Sequence, residues 1–201
     1  MKILALELSS ACGSLAWRDG KTELAREWAN DRKNSGEFFR NLGEVQQRFG
    51  LPDRIIVGLG PGSYAGTRIA ISAAVGLQLA AEAELVGVSS LCALATDSPE
   101  YAVIGDARRQ SFFFAHIRDR ILATTPALHT EVELRNTLKA TRTGMPIFAT
   151  EELERFPQIA IHYPSAEILA RLAEDTNRAF VLPPLEPMYL REPHITTPRP
   201  R

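Results

Sequence analysis

The chain opens on an almost unbroken apolar run, KILALEL (residues 2–8), followed by a turn-rich stretch, SSACGS, and a second apolar run that stops at Asp19-Gly20. A continuous apolar run of this length marks a strand covered on both faces, and Asp-Gly is a hairpin turn signal. The pattern predicts an outgoing and a returning strand. TELAREWAN (22–30) reads as a third strand, with imperfect alternation that leaves a helix as the alternative. From residue 35 the period changes. Phe38, Leu42, Val45 and Phe49 recur at steps of four, three and four, with Phe39 beside them, which is one face of a helix. Asn34 or Ser35 stands at its start as a cap, Gly50 just past its end, and Pro52 breaks the chain before DRIIVGL (53–59), the next buried strand.

Residues 64–82 read as a helix that is apolar almost all round and rich in small residues: Ala65, Gly66, Ala70, Ala73, Ala74 and Gly76 among them. Such a helix must be covered on every side, and small side chains let another helix come close. ELVGVSS is then a short strand and SLCALATD a short helix. The second half repeats this grammar more weakly. YAVIGDARRQSFFFAHI reads as strand, tight turn, strand; EVELRNTLKAT as a helix, MPIFAT as a strand and SAEILARLAED as a helix. Turn residues cluster at DSPEY (97–101), which predicts two α/β subdomains, 1–98 and 99–192, and the proline-rich end predicts a flexible tail at 193–201.

Between the strand at 53–59 and the long helix lies GLGPGSYAG (58–66), and three mechanisms compete for it. A phosphate-cradling P-loop needs a lysine after its last glycine, and none is near: the four lysines are Lys2, Lys21, Lys33 and Lys139. A dinucleotide fingerprint fits Gly60 to Ala65 as GxGxxA but also wants an acid at the end of the next strand; that strand ends in Ser89-Ser90, and Glu82 and Glu84 precede it. The third mechanism is structural: Gly60 and Gly62 supply positive φ, Pro61 removes one backbone donor, and Ser63 caps the helix, whose first N–H groups remain able to meet an anion.

Composition narrows the classes. With 201 residues, 45% of them hydrophobic, the chain can bury a core in one domain or two small ones. A net charge of −1 and the lack of a basic–aromatic stripe argue against a nucleic-acid or membrane-surface protein acting alone. Cys12 and Cys92 have neither CxxC spacing nor a disulfide framework and read as small core residues. No run is long enough to span a membrane. The start resembles a lipoprotein leader until Glu7 interrupts it, so it reads as the first strand of a cytoplasmic protein. His116, His129, His162 and His194 share no metal-ligand spacing, and no nucleophile with a base can be placed.

Taken in order, MKILALELSSACGSLAWRDG, GLGPGSYAGTRIAISAAVGLQLA, VGVSSLCALA, GDARRQSFFFAHI and PMYLRE resemble the bacterial TsaB (YeaZ) family, with the GxGPGSxxGxR block the most specific part. The resemblance implies an α/β, actin-like ATPase (ribonuclease H-like) fold of two related subdomains, the second reduced. It also implies a function: a non-catalytic dimerisation subunit that pairs with the catalytic paralogue TsaD, and works with the ATPase TsaE, to make threonylcarbamoyladenosine in tRNAs reading ANN codons. A homodimer in the absence of TsaD, and tRNA contact only through the complex, belong to the same implication.

Two departures bear on chemistry. The family's first hairpin usually carries Asp-Thr before a small residue, and here it is Glu7-Leu8-Ser9-Ser10. Many members place a histidine where Asn34 stands, and the HxxxH pair of the catalytic paralogue is missing from the first helix. Glu7, Ser9, Ser10 and Asp106 are therefore expected to be degenerate phosphate-loop positions, with no catalytic residue, no metal and no resident cofactor; a nucleotide at the subunit junction is left open. Phe38, Phe39, Leu42, Val45, Tyr64 and Arg68 are the partner-binding candidates, with one side of the helix pair expected to face inward and Phe39, Tyr64 and Arg68 outward. A stand-alone small-molecule kinase of the same fold is the alternative, and an NAD(P)-binding module a third reading.

Overall fold

In the computed structural model, which describes residues 1–20, 22–30, 35–141 and 143–190, the first apolar run becomes the centre of a sheet. Strands β1 (Ile3–Glu7), β2 (Cys12–Asp19), β3 (Thr22–Ala29), β4 (Arg54–Gly58) and β5 (Glu84–Val88) form it, in the order β3-β2-β1-β4-β5. β1, β2 and β3 are antiparallel neighbours, while β1, β4 and β5 run parallel. The third segment is thus a strand, as its register of eight pairs against β2 shows. Helices α1 (Gly36–Phe49) and α2 (Tyr64–Ala81) cover one face of the sheet. There Leu4, Leu6, Leu15, Trp17, Ile55 and Val57 pack with Phe38, Leu42, Val45, Ala70 and Ala74, and Trp17 stacks on Phe49 at 5.4 Å.

The second sheet repeats the plan in shorter form. Strands β6 (Glu100–Asp106), β7 (Ser111–Arg118), β8 (Ile121–Leu122), β9 (Ala127–Thr130), β10 (Ile147–Ala149) and β11 (Ala160–Ile161) build it in the order β11-β10-β6-β7-β8, with β9 also pairing β7. An antiparallel hairpin, β6–β7, again lies beside a parallel strand, β10, as β1–β2 lies beside β4. Helix α3 (Glu131–Ala140) buries Leu134 against Ile104, Phe112 and Phe156. Its start is a full capping box between Thr130 and Glu133.

Helix α4 (Ala166–Leu172) follows the second sheet in sequence but packs on the first. Ala166, Leu169 and Ala170 cover Ile3, Ala5, Ala16 and Ile56 on the face opposite α1 and α2. All five residues of β1 are buried for this reason, and so the sequence shows no alternation there. SLCALATD yields only a short 3-10 turn, Ser90–Ala93. Ser35 sits at the cap position of α1 without a side-chain cap bond; Asn34, His194 and the tail 193–201 lie outside the described residues. Among those residues no helix is long and apolar enough to cross a membrane.

Candidate functional site

The glycine loop joins β4 to α2, and its polar groups are spent on the protein itself. Gly60 N donates to Ser90 Oγ at 2.9 Å, and Ser89 Oγ donates to Gly60 O at 2.9 Å. Ser63 N donates to Ser9 O at 2.6 Å, and Ser63 Oγ accepts from Gly66 N at 3.3 Å, the N-cap expected of it. Two glycines are required by contact. A Cβ at Gly62 would lie 2.1 Å from Ser9 O, and one at Gly66 would lie 2.1 Å from Leu8 O. The loop is a packing joint between the first hairpin and α2. Three of its N–H groups that an anion would need are already bonded to protein oxygens.

Between the two sheets this loop faces a cleft of about 280 Å3. Ser9, Ser10, Gly62 and Ser63 line one wall, Asp106, Arg108 and Glu151 the other, and Tyr189 borders both. Asp106 bonds its own turn: its carboxylate accepts from Arg108 N at 2.7 Å and from Arg108 Nη1 at 2.9 Å. Glu151 Oε1 accepts from Asp106 N at 3.3 Å. Ser10 Oγ is engaged with the backbone of Cys12, and Asn30 Nδ2 holds the hairpin through Leu8 O and Ser10 O. The cleft thus carries two carboxylates against one arginine that is already paired, a poor electrostatic setting for a triphosphate.

Glu7 does not line this cleft. It is fully buried, its Oε1 accepts from Ser9 N at 2.6 Å, and burial pushes its acid group up, against the smaller pull of the Ser9 and Ser90 hydroxyls. Among the described residues no three His, Cys, Asp or Glu side chains gather as a metal cluster.

The partner candidates divide between inside and outside. Phe38, Leu42 and Val45 are 1%, 6% and 1% exposed, so they are core residues of this chain and not surface candidates: α1 has one strong apolar stripe, and its own sheet takes it. Phe39 and Tyr64 are 52% and 54% exposed, and Arg68 is exposed with them. Phe39, Arg68, Ile69, Ser72 and Ala73 line an open groove between α1 and α2. Arg68 Nη1 donates to Tyr64 Oη, its guanidinium lies 5.2 Å over the Tyr64 ring, and Tyr64 meets Tyr189 at 5.6 Å. The Arg68 hydrogen bond holds the Tyr64 phenol below its ordinary value, while burial lifts that of Tyr189.

The sequence reading missed the rest of this face. Val75 and Leu79 are exposed on α2, at 39% and 79%. Tyr64, Arg68, Ser72, Val75 and Leu79 follow one another at helical steps and form a single outward stripe in which only Arg68 is charged. That spacing was the available signal. A Cβ on Gly76, mid-helix and exposed, would meet nothing within 4 Å, so no contact among the described residues explains a glycine there.

Residues 40–187 match the family model described as TsaD: tRNA N6-adenosine threonylcarbamoyltransferase. An uncharacterized protein of Mycobacterium tuberculosis is 30% identical over 142 residues, 70% of this chain and 65% of that protein. The tRNA threonylcarbamoyladenosine biosynthesis protein TsaB of Escherichia coli is 32% identical over 100 residues, 47% of this chain and 43% of that one. The chain spans less than two thirds of the length of the curated relatives it matches, between 38% and 65%. Among solved structures, YeaZ from Pseudomonas aeruginosa superposes with a TM-score of 0.73 at 24% identity, over 94% of this chain and 99% of that one. The actin-like ATPase (ribonuclease H-like) architecture and the TsaB (YeaZ) resemblance read from the sequence are both borne out.

Proposed function

Because the chain belongs to the threonylcarbamoyltransferase family that this model describes, we propose that it serves threonylcarbamoyladenosine formation in tRNA as a non-catalytic, cytoplasmic scaffold subunit that docks a TsaD-type paralogue. The carrying observation is the outward stripe of α2. Its exposed apolar residues Val75 and Leu79, its single charge and its unexplained Gly76 suit a second helix pair packed closely against it. Stable interfaces of this kind bury about 2,000 Å2 or more, and Phe39, Tyr64 and Arg68 extend the face across the α1–α2 groove. An ATPase of the TsaE type and tRNA would join through the assembled pair, and a homodimer on the same face would form when the paralogue is absent. No resident cofactor enters this reading. The test is co-purification with the TsaD-type paralogue of the same genome, with and without Leu79→Glu. Loss of the pair in the variant supports the reading; a mixture that stays monomeric at micromolar concentration overturns it.

The kinase alternative rests on Asp106 at the cleft, and two features disfavour it: Asp106 is bonded to its own turn, and Glu7 is withdrawn from the cleft. Steady ATP hydrolysis by the isolated chain, lost in Asp106→Ala, would restore it. The dinucleotide reading is disfavoured by Ser89 and Ser90, which clamp Gly60 where that fold places its ribose-binding acid.

A further inference from the structure

Among the described residues Glu7 is the one fully buried carboxylate, and three separate pieces of chain touch it. Its Oε1 accepts from Ser9 N at 2.6 Å. On the other side, a Cβ added to Gly58 would stand 1.7 Å from Oε2 and 2.6 Å from Ser90 Oγ, so the carboxyl lies directly against the Gly58 backbone and beside Ser90. Oε2 itself makes no hydrogen bond of proper geometry with any described residue. Among the described residues the surroundings hold no counter-charge. Loop, β4 and turn present only Ser9, Gly58 and Ser90. From β2 the titratable neighbour is Cys12, an acid group itself, whose thiol is pushed up first by burial and then by Glu27 of β3. On α4, Glu167 is paired with Arg171 at the surface, and the one charge of α2, Arg68, is bonded to Tyr64 on the outward face. An ionised Glu7 would be a fully buried charge met by one backbone N–H and two neighbouring hydroxyls but by no described cation, which is costly to hold.

We propose that Glu7 is a neutral carboxylic acid in the folded protein and acts as a pH-releasable strut that seats the glycine loop. The strut reaches α2 by a short chain of contacts. Glu7 holds Ser9 N, Ser9 O holds Ser63 N at 2.6 Å, and Ser63 caps α2 through Gly66 N. Ser90, beside the carboxyl, holds Gly60 N at 2.9 Å. Deprotonation places a charge at the centre of this joint and favours a state in which the first hairpin loop moves off the glycine loop. The direction in pH is fixed by burial. The acid binds its proton more tightly folded than unfolded, so its stabilising contribution is complete below the ordinary glutamate value, 4.5, and is lost as pH rises toward the folded value. Across that interval one proton is released per unfolding event, and the unfolding constant rises about tenfold per pH unit from this group.

The experiment is denaturant unfolding of the full chain at a series of pH values above 4.5, for the native protein and Glu7→Gln, which keeps the shape and cannot ionise. The native protein should lose stability relative to the variant as pH rises, by about tenfold in the unfolding constant per unit at first. A variant less stable than the native protein at neutral pH, or a stability difference independent of pH, overturns the strut. A second readout does not need the variant to fold well. The infrared spectrum of the native protein at neutral pH, with glutamate carboxyl carbons isotope-labelled, should contain a protonated-acid carbonyl band. A spectrum with carboxylate bands alone overturns the proposal.

Discussion

The carbonyl oxygen of Ser9 stands where a side chain at Gly62 would begin, 2.1 Å from the Cβ position. The same relationship recurs four residues later, where Leu8 O stands 2.1 Å from the Cβ position of Gly66. The glycine-rich block is explained by backbone packed on backbone rather than by phosphate.

Two glycines of one helix should therefore respond in opposite ways to the same substitution. Alanine normally stabilises a helix interior by about 1 kcal/mol over glycine. Gly76→Ala should show that gain, because nothing lies within 4 Å of the new methyl, and should weaken partner association. Gly66→Ala should lose about 1–3 kcal/mol, since Leu8 O must move. Urea unfolding of both variants checks this; equal shifts would contradict the packing argument.

The inward and outward apolar residues should separate just as cleanly. Phe38 is 1% exposed and sits in the core with Trp28 at 6.4 Å, so Phe38→Ala should cost about 3–5 kcal/mol. Leu79 is 79% exposed, and Leu79→Glu should change monomer stability by no more than about 0.5 kcal/mol. Thermal unfolding of the isolated chain measures both, and a large loss in Leu79→Glu would place that residue in the monomer core instead.

Tyr64 offers a spectroscopic handle on the α2 face. Its phenol is held below the ordinary value of 10.0 first by the Arg68 hydrogen bond, whereas burial pushes Tyr101 up to about 12. In Arg68→Gln the Tyr64 titration should move upward, with Tyr101 unmoved. Carbon NMR of ring-labelled tyrosine followed against pH resolves the two; an unshifted Tyr64 would mean that the pair does not persist in solution.

Much of this architecture was legible in the residues. KILALEL and DRIIVGL gave no alternation because α4 covers the face that α1 and α2 do not. The steps of Phe38, Leu42 and Val45 identified a helix face but not its side. A helix with a single apolar stripe gives that stripe to its own sheet, and Phe39, one residue along and about 100° round, is left outside. Strands β8 and β11 have two residues each and β9 four, too short for any period to register. The capping box at Thr130 and Glu133 was readable from spacing alone and was missed. Glu7 looked like a weakened phosphate-loop acid; its withdrawal against Gly58 depends on a contact between strands that sequence order does not show.

The central claim is that the outward face of α2 is a docking surface. Light scattering on a gel-filtration column, with this chain and its TsaD-type paralogue mixed at micromolar concentration, tests it most directly. A one-to-one species that disappears with Leu79→Glu and persists with Asp106→Ala is the result this account expects. A complex untouched by Leu79→Glu, or no complex at all, would contradict it.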